Sequence, residues 1–526
     1  MRRSLLPLMV AVAIVAPITA QAQQFTNTNP VLQRIWAEGM ENSHVYGLTQ
    51  TLLDSIGPRL TGSPEMEAGN HWLVNLYRSW GVSAENEQYG TWLRWRRGVT
   101  HIDLVEPRVR SLEGMMLAWS PGTNGRSVRG DLVVLPEATN EQQFASWLSN
   151  VGGKFVAVSF PQPTCRPNDD LERWSTEADL ERFMEERQAA SQAFNQRLAA
   201  MGFQGRGGGS ALAQRLEAAG AAGVVSSSWS NGWGVRRVFG ANTEQIPTVD
   251  LGCEDYGLVY RLAENGQGPV LEVTADAEFQ GEHPIYNTIA MIRGSELPDE
   301  YVLLSAHFDS WDGGSGAVDN GTGTVTMLEA IRILSNVYPN PKRTIVVGHW
   351  NSEEQGLNGS RAFAEDHPEI VEGLQAAFNQ DNGTGRVSRI NTQGLTEASG
   401  NFARWLSMVP SDITRHITFS FPGSPGGGGS DYASFICSGA PAFSLSSLSW
   451  NYGYTWHTQR DTFDKVWMDD LKNNATLTAM LVYLASEDPE RVPRTRRDVM
   501  PVRGTQQTEW PACRPATRSW EQYRNR

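Results

Sequence analysis

The stretch YVLLSAHFDSWDGGSGAVDN, residues 301–320, begins with an apolar run that predicts a buried β-strand. His307 and Asp309 follow this run directly, and a glycine-rich bend then leads to Asp319, just before a predicted helix. In an open α/β sheet, ligands bind at the carboxyl ends of the strands, where the loops form a crevice. One histidine and two aspartates at such a position are half of the donor set of a metal centre. The other donors are therefore expected at other strand ends.

Three further segments supply them. Glu353 and Glu354 follow one predicted strand, Asp381 follows the next, and His457 comes after a glycine-rich loop. Mixed imidazole and carboxylate donors suit zinc best, with cobalt or manganese as substitutes. Two divalent ions about 3.5–4 Å apart need a carboxylate between them and further ligands on each side. The pattern therefore predicts a site for two zinc ions, with Glu353 as an additional carboxylate that accepts a proton from water.

Strand and helix patterns alternate from residue 286 to residue 484 and predict an α/β fold with a mainly parallel central sheet. Helices between short apolar strands are typical of a parallel sheet that is covered on both faces. In the predicted helix Thr322–Val337, apolar residues recur at intervals of three, which gives the helix one stripe to pack on the sheet.

The motifs HxDS, Asp, EE, Asp and HTxxD, in this order, resemble the di-zinc exopeptidase family that includes secreted bacterial aminopeptidases and glutamate carboxypeptidases. The segments AHFDSWDGGSGAVDN and PKRTIVVGHWNSEEQG are most similar to its carboxypeptidase Q-like branch, the plasma glutamate carboxypeptidase type. The resemblance extends over residues 29–487 and depends on five separated motifs that agree in order and spacing. It implies a zinc-exopeptidase fold and a zinc metallopeptidase activity.

The resemblance also implies how the metals are held. Asp319 would bridge two zinc ions, His307 and Asp381 would hold one of them, and Glu354 and His457 would hold the other. Imidazole and carboxylate ligands of this kind leave a catalytic zinc site open to substrate.

Three catalytic roles follow from the same resemblance. Glu353 would be the general base and later the general acid. Asp309 would hydrogen-bond the far nitrogen of His307 and fix its tautomer, and Tyr432 is a candidate for stabilising the transition state. The family also implies a cis peptide bond between Asp319 and Asn320.

The implied reaction is hydrolysis of a terminal peptide bond in dipeptides or short peptides. The branch favours a carboxypeptidase or dipeptidase, for which Arg386 or Arg389 would bind the free carboxylate, and an aminopeptidase is the alternative. A single-zinc glutaminyl cyclase and a non-catalytic receptor-type homologue are rivals on similar folds. Trp311, Trp350 and the other tryptophans near the motifs (Trp450 and Trp456) either shape an apolar subsite or pack in the core. Whether the chain forms a homodimer is left open.

The length of 526 residues exceeds what one hydrophobic core usually supports, so several domains are expected. Short strands and helices over residues 126–280 resemble a protease-associated domain. The polar stretch 161–203 within it is either a solvent-exposed helical segment or a lid over the active site. We predict that this insert divides a zinc peptidase domain into residues 23–125 and 281–490, and that residues 491–526 are a loosely attached extension.

The first 22 residues are typical of a secretory signal peptide, with two arginines, an apolar run and a cleavage site after Ala22. The run is shorter than the roughly 20 residues that span a bilayer, so a secreted or periplasmic protein without a membrane span is expected. Four cysteines are too few for a disulfide scaffold; one or two bridges are expected, with Cys165–Cys253 among the options. A net charge of −14 argues against nucleic-acid binding.

Overall fold

The computed structural model describes residues 27–205, 207–381, 384–497 and 509–525. The predicted signal peptide lies outside these residues, as does part of the predicted C-terminal extension. The described strands are β1 (Ser83–Glu106), β2 (Arg110–Ser111), β3 (Gly114–Met116), β4 (Val128–Val134), β5 (Phe155–Ala157), β6 (Gly223–Ser226), β7 (Thr248–Leu251), β8 (Val270–Ile292), β9 (Leu297–His307), β10 (Arg343–Trp350), β11 (Leu374–Asn379), β12 (Val387–Asn391), β13 (Thr418–Ser420) and β14 (Ala442–Ser447).

Helices surround these strands. They are α1 (Pro30–Trp36), α2 (Val45–Gln50), α3 (Pro64–Ser79), α4 (Glu141–Leu148), α5 (Asn168–Trp174), α6 (Glu177–Ala200), α7 (Gly208–Ala218), α8 (Cys253–Glu264), α9 (Thr322–Val337), α10 (Asn358–Asp366), α11 (Pro368–Gly373), α12 (Ser399–Met408), α13 (Ser411–Thr414), α14 (Ala433–Ile436), α15 (Met468–Glu487) and α16 (Trp520–Arg524). In the part of the chain that the structure describes, no helix has the length and apolar character needed to cross a membrane.

The strands form a mixed sheet in the order β13-β12-β14-β11-β9-β10-β8-β4-β5-β6-β7-β3. Strand β9 lies between β10 and β11 and is parallel to both, and β14 is parallel to β11. Their carboxyl ends therefore meet at one edge of the sheet, as predicted for an α/β fold. The loops that follow these strands are the ones that carry the motifs.

Helix α9 has the bounds that its apolar pattern predicts. Val325, Leu328, Ile331 and Leu334 are fully buried. The helix is also covered on its other sides, because it contacts β9 and packs against α2 and α15. A helix buried on all sides holds the loop before it in a fixed position, and that loop contains Asp319.

Strand β8 corrects one prediction. The apolar runs 271–273 and 287–292 are predicted as two strands, but they are the two ends of a single strand that pairs with β1 from Ser83↔Met291 to Glu106↔Val270. The residues between the two runs are mostly exposed, because this part is a two-stranded antiparallel ribbon. The apolar pattern of β8 is lost here because β1 supplies the buried residues of this part of the ribbon, Trp92 and Trp95.

A second group of strands lies beyond this ribbon. Strands β4, β5, β6 and β7 are parallel to one another. Strand β4 joins β8, and β3 joins β7, as antiparallel neighbours. The predicted polar stretch contains α6, in which only Phe194 is buried. The predicted disulfide Cys165–Cys253 is present and ties the start of this stretch to α8.

The C-terminal segment, residues 509–525, is not loosely attached. A second disulfide, Cys437–Cys513, which the sequence did not identify, joins it to the body. The backbone N–H of Thr517 donates to Asn358 Oδ1 at 3.0 Å, and the carbonyl of Arg518 accepts from the N–H of Thr91 at 2.9 Å. The segment therefore ends as a helix, α16, fixed against β1.

Candidate metal centre

The five predicted metal ligands converge at the carboxyl edge of the parallel strands. They are His307 at the end of β9, Asp319 in the turn before α9, Glu354 after β10, Asp381 after β11, and His457 in the loop after β14. They form two groups that share Asp319: one with His307 and Asp381, the other with Glu354 and His457. Residues separated by up to 150 positions thus meet at the edge where parallel strands end.

Asp319 lies between the two histidines. Its Oδ1 is 3.2 Å from His307 Nε2, and its Oδ2 is 3.1 Å from His457 Nε2. On the outer sides, His307 Nε2 is 3.3 Å from Asp381 Oδ1, and His457 Nε2 is 2.7 Å from Glu354 Oε2. Each carboxylate oxygen of Asp319 therefore serves a different group.

The donor set fits zinc. Around a tetrahedral zinc ion with ligands at about 2.0–2.2 Å, neighbouring donor atoms lie about 3.3–3.6 Å apart. The four separations above are 2.7–3.3 Å, so small outward shifts of these side chains would admit an ion. Glu354 Oε1 is buried without a hydrogen-bond partner among the described residues. A buried carboxylate oxygen without a donor is costly unless a cation or water meets it.

The negative charges of the donor carboxylates also make the site suited to cations. Burial and the neighbouring Asp319 raise the pKa of Glu354 to about 8. Burial alone would lower the pKa of His457, but Glu354 and Asp319 outweigh it and raise this pKa to about 9. Carboxylates this close together disfavour ionisation unless positive charge lies between them.

Asp309 lies behind the ligands and holds two of the motifs together. Its carboxylate accepts the backbone N–H groups of Glu353 and Glu354, each at 3.1 Å. The Nδ1 of His307 lies 3.0 Å from the Asp309 backbone carbonyl and 3.5 Å from its carboxylate. The nearer partner of His307 is therefore the carbonyl rather than the predicted carboxylate, and the carboxylate mainly orients the loop after β10.

The sequence reasoning assigned no role to Asp461 or Arg59, which support the site. Asp461 accepts the backbone N–H groups of Val318 at 2.7 Å and Asp319 at 3.1 Å. The fully buried Arg59 donates to the carbonyls of Phe308 and Ser315 at 2.6 and 2.8 Å. Asp461 is the last residue of the HTxxD motif, and this position could have indicated its role. No sequence pattern indicated a role for Arg59, because an arginine in a turn usually lies on the surface.

Glu353 precedes the predicted ligand Glu354 and lies near other carboxylates of the site. Burial, with the nearby carboxylates of Asp381 and Asp431, raises the pKa of Glu353 well above its usual range. Glu353 keeps part of its surface exposed to solvent. A carboxylate of raised pKa beside water is suited to accept a proton.

Two tyrosines are close to the donors. The hydroxyl of Tyr432 donates to the carbonyl of Gly428 at 3.1 Å, and burial raises the pKa of Tyr432. Burial also raises the pKa of Tyr452 well above its usual value, with Asp319 acting in the same direction. Tyr452 was not singled out from the sequence. The peptide bond between Asp319 and Asn320 is cis, as the resemblance implied.

The four tryptophans near the motifs have different surroundings. Trp311 lines a cavity beside the site, and the ring of Trp456 stacks on His457 with centroids 3.8 Å apart. Trp350 is fully buried in the core, and Trp450 is 55% exposed. The prediction of an apolar subsite therefore concerns Trp311.

Arg386, predicted to bind a free carboxylate, is already engaged by Asp470, with its Nη2 3.0 Å from Asp470 Oδ1. Arg389 is exposed on β12. Arg237, which the sequence did not indicate, lies over the ring of Trp456 at 5.1 Å. The Trp456 ring thus contacts both the Arg237 guanidinium and the predicted metal ligand His457.

The cavity beside the donors has a volume of about 340 Å³. Glu354 and His457 form part of its wall, and most of the rest is aromatic: Trp119, Phe239, Trp311, Trp520 and Tyr523. Trp311 belongs to a motif, Trp119 and Phe239 come from outside the motifs, and Trp520 and Tyr523 come from α16. No local pattern in the sequence could have assigned the last four to the site.

Residues 287–482 match the family model described as Peptidase family M28. Carboxypeptidase Q of Rattus norvegicus and that of Homo sapiens are each 25% identical to this chain over 469 residues, which are 87% of this chain and 90% of each relative. Among solved structures, a Peptidase M28 precursor from Shewanella amazonensis is 22% identical with a TM-score of 0.64, and the match covers 88% of this chain and 97% of that one.

A zinc aminopeptidase from Bacillus subtilis is 18% identical with a TM-score of 0.55, and the match covers 86% of this chain and 97% of that one. At these identities the solved structures show a common fold. The carboxypeptidase Q relatives extend the similarity through the sequence on both sides of the matched family model.

Proposed function

We propose that this chain, a zinc metallopeptidase with a peptidase family M28 domain over residues 287–482, is a two-zinc exopeptidase. It hydrolyses a terminal peptide bond of dipeptides or short peptides. The observation that carries this proposal is the position of Asp319, with one carboxylate oxygen 3.2 Å from His307 and the other 3.1 Å from His457. A carboxylate so placed suits two cations, one on each side.

In this proposal His307 and Asp381 hold one zinc ion, Glu354 and His457 hold the other, and Asp319 holds both. The bound ions would polarise the scissile carbonyl and lower the pKa of water. Asp461 and Asp309 fix the backbone of the ligand loops, because each carboxylate accepts two N–H groups there. The loops are thereby oriented before substrate binds.

Glu353 is the proposed general base. It accepts a proton from the attacking water and then delivers it to the nitrogen of the leaving amine. Its backbone N–H donates to Asp309 at 3.1 Å, and the residue is partly exposed. Tyr432 is the proposed donor to the oxygen that becomes negative in the transition state, after its hydroxyl leaves Gly428.

Carboxypeptidase activity is favoured over aminopeptidase activity, because relatives that match along 87% of this chain are named carboxypeptidase Q. Arg237 is the candidate for binding the free carboxylate of the substrate, since it lies over Trp456 beside the donors. Aminopeptidase activity on the same scaffold is the alternative.

Domain organisation and export are part of the proposal. Residues 126–280 form a protease-associated domain inserted in the peptidase domain, supported by the parallel strands β4 to β7 and the helices between them. Residues 1–22 are a cleaved signal peptide, and the protein acts outside the cytoplasm. Two disulfides support export, because such bonds persist in oxidising compartments.

Two measurements test the function. Metal analysis of the purified protein should give two zinc ions per chain; a single ion would favour a cyclase-type site, and none would favour a binding protein. Mass spectrometry of a digested peptide library should show loss of residues from the carboxyl end. Loss from the amino end would replace the carboxypeptidase assignment, and internal cleavage would overturn the exopeptidase assignment.

A further inference from the structure

The cavity next to Glu354 and His457 has walls that suit a large apolar side chain. Trp311 packs edge-to-face against Trp119 with ring centroids 5.8 Å apart and against Phe239 at 5.5 Å. Phe239 in turn packs edge-to-face on His457 at 5.4 Å. A guest ring gains most from edge-to-face or offset contacts with such walls. The aromatic wall therefore continues from the cavity to a predicted metal ligand.

The C-terminal helix α16 provides another wall. Trp520 lies 5.2 Å from Trp119 between ring centroids, and Tyr523 lies 5.6 Å from Trp520. Arg524 closes this side, with Nη1 donating to the carbonyl of Ala241 at 3.2 Å. The last described residues of the chain thus reach the edge of the metal centre.

This helix is fixed in place by several separate contacts. The backbone N–H of Ala516 donates to Glu365 at 2.9 Å, and the guanidinium of Arg518 pairs with Glu365 and Asp366 at 3.0 and 2.8 Å. The disulfide at Cys513 anchors the segment further upstream. A segment held in this way is suited to form a permanent wall rather than a mobile flap.

Two of the aromatic residues that line the cavity carry a buried indole N–H group. The indole N–H groups of Trp119 and Trp311 are buried and have no acceptor among the residues that the structure describes. Trp119 is 3% exposed and Trp311 is 7% exposed. Because these N–H groups are closed off from solvent, Trp119 and Trp311 present apolar ring surface to the cavity.

The charges at the cavity argue against an acidic side chain as the guest. Arg524 is the positive side chain of its wall, but Nη2 already lies 3.3 Å from Glu244 Oε1. Glu354 adds negative charge to the same cavity. The volume of about 340 Å³ lies in the range of about 300–1,000 Å³ for small-ligand pockets. An uncharged, bulky group fits these conditions best.

We propose that α16 forms one wall of a substrate subsite, and that this subsite selects peptides with an aromatic or large apolar residue beside the scissile bond. The proposal rests on the exopeptidase function above and adds its substrate class. Trp520 and Tyr523 are specificity-determining residues in this assignment, and they take no part in proton transfer or metal binding.

The test compares dipeptides that differ only in one side chain: Phe-Ala, Ala-Phe and Ala-Ala. The wild-type protein should cleave one of the two phenylalanine dipeptides with a kcat/KM at least about tenfold above that for Ala-Ala. Trp520→Ala should lower that value about tenfold or more, mainly through KM, and should change the value for Ala-Ala less than about threefold. Zinc content should stay unchanged.

Trp174→Ala is the matched control, because this tryptophan is 74% exposed on α5; it should leave all three rates unchanged. If Trp520→Ala does not fold, Tyr523→Ala decides with the same readout, and Trp520→Phe should keep the preference. Equal losses for the three dipeptides, or a wild-type protein without preference for phenylalanine, would overturn the subsite. A protein that binds zinc but cleaves no dipeptide or short peptide would instead overturn the proposed function.

Discussion

The carboxylate of Asp461 supports Asp319 from behind, accepting its backbone N–H at 3.1 Å and that of Val318 at 2.7 Å. These two bonds orient the one ligand that the proposal assigns to both metals. Burial raises the pKa of Asp461 to about 7 despite the two donors. The position of Asp319 thus depends on a second acidic residue that is not one of the five proposed ligands.

Asp461→Asn should weaken metal binding without removing a ligand. The amide nitrogen of the new asparagine would face the backbone N–H of Val318 or Asp319, and that N–H would lose its acceptor. Asp319 would therefore be less well oriented. Loss of such outer partners typically costs about 10–100-fold in metal affinity, measurable by zinc competition with a chelator. Asp464→Asn, at an exposed position nearby, is the control; equal affinity of the Asp461→Asn protein and the wild type would contradict this role.

Glu353→Gln should retain zinc and lose turnover. Glutamine has nearly the same shape but accepts no proton at neutral pH, so kcat should fall by about 10²–10⁴-fold. Metal analysis and steady-state kinetics on the same preparation separate the two effects. Near-normal kcat would remove the base assignment, and loss of zinc would make Glu353 a ligand instead.

His349 should make the protein sensitive to mild acid. It is fully buried, its Nε2 lies 2.6 Å from Tyr77 Oη, and burial lowers its pKa to about 3. The unfolded chain takes up this proton near pH 6.5, whereas the folded chain does so only near pH 3. The contribution of neutral His349 to the free energy of unfolding is therefore complete above pH 6.5. It is lost as the pH falls from there toward 3, and the loss is about 2 kcal/mol at pH 5.

Urea unfolding at pH 7.5 and pH 5 measures this effect. His349→Gln should lower the stability at pH 7.5 but should reduce the difference between the two pH values by about 2 kcal/mol. His71→Gln is the matched control, because the His71 side chain is 65% exposed. An unchanged pH dependence in His349→Gln would show that other groups cause it.

The disulfide Cys437–Cys513 should stabilise the folded chain by restricting the unfolded one. Its cysteines are 76 residues apart, and bridges of this kind typically contribute about 2–4 kcal/mol. The double variant Cys437→Ser and Cys513→Ser should lower the midpoint of thermal unfolding. Limited proteolysis should also release the C-terminal segment sooner than in the wild type; identical cleavage patterns would mean that the other contacts suffice.

The strongest local patterns in the sequence predict the structure correctly. Helix α9 has its predicted bounds, because its apolar residues recur with helical period. The five donors converge because each follows a strand or stands next to a helix, and the ends of parallel strands share an edge. The predicted strand ends and the family resemblance together led to the prediction that these residues meet.

Tertiary packing determines what the sequence could not predict. Trp119 and Phe239 reach the cavity from outside the motifs, and Trp520 comes from a tail whose Arg- and Pro-rich composition predicts no packing. Arg59 is buried because four carbonyls of nearby turns accept from it. Such partners are far apart along the chain, and neither periodicity nor spacing marks them.

The fixed C-terminal helix has a practical consequence for protein production. The first residue of a purification tag fused after Arg526 would follow Tyr523, which lines the cavity, by four positions. A tag joined just before Asn27 would end instead next to a residue whose side chain donates to the carbonyl of Met408 at 2.7 Å. Enzyme carrying the first kind of fusion should discriminate less among peptides than enzyme carrying the second.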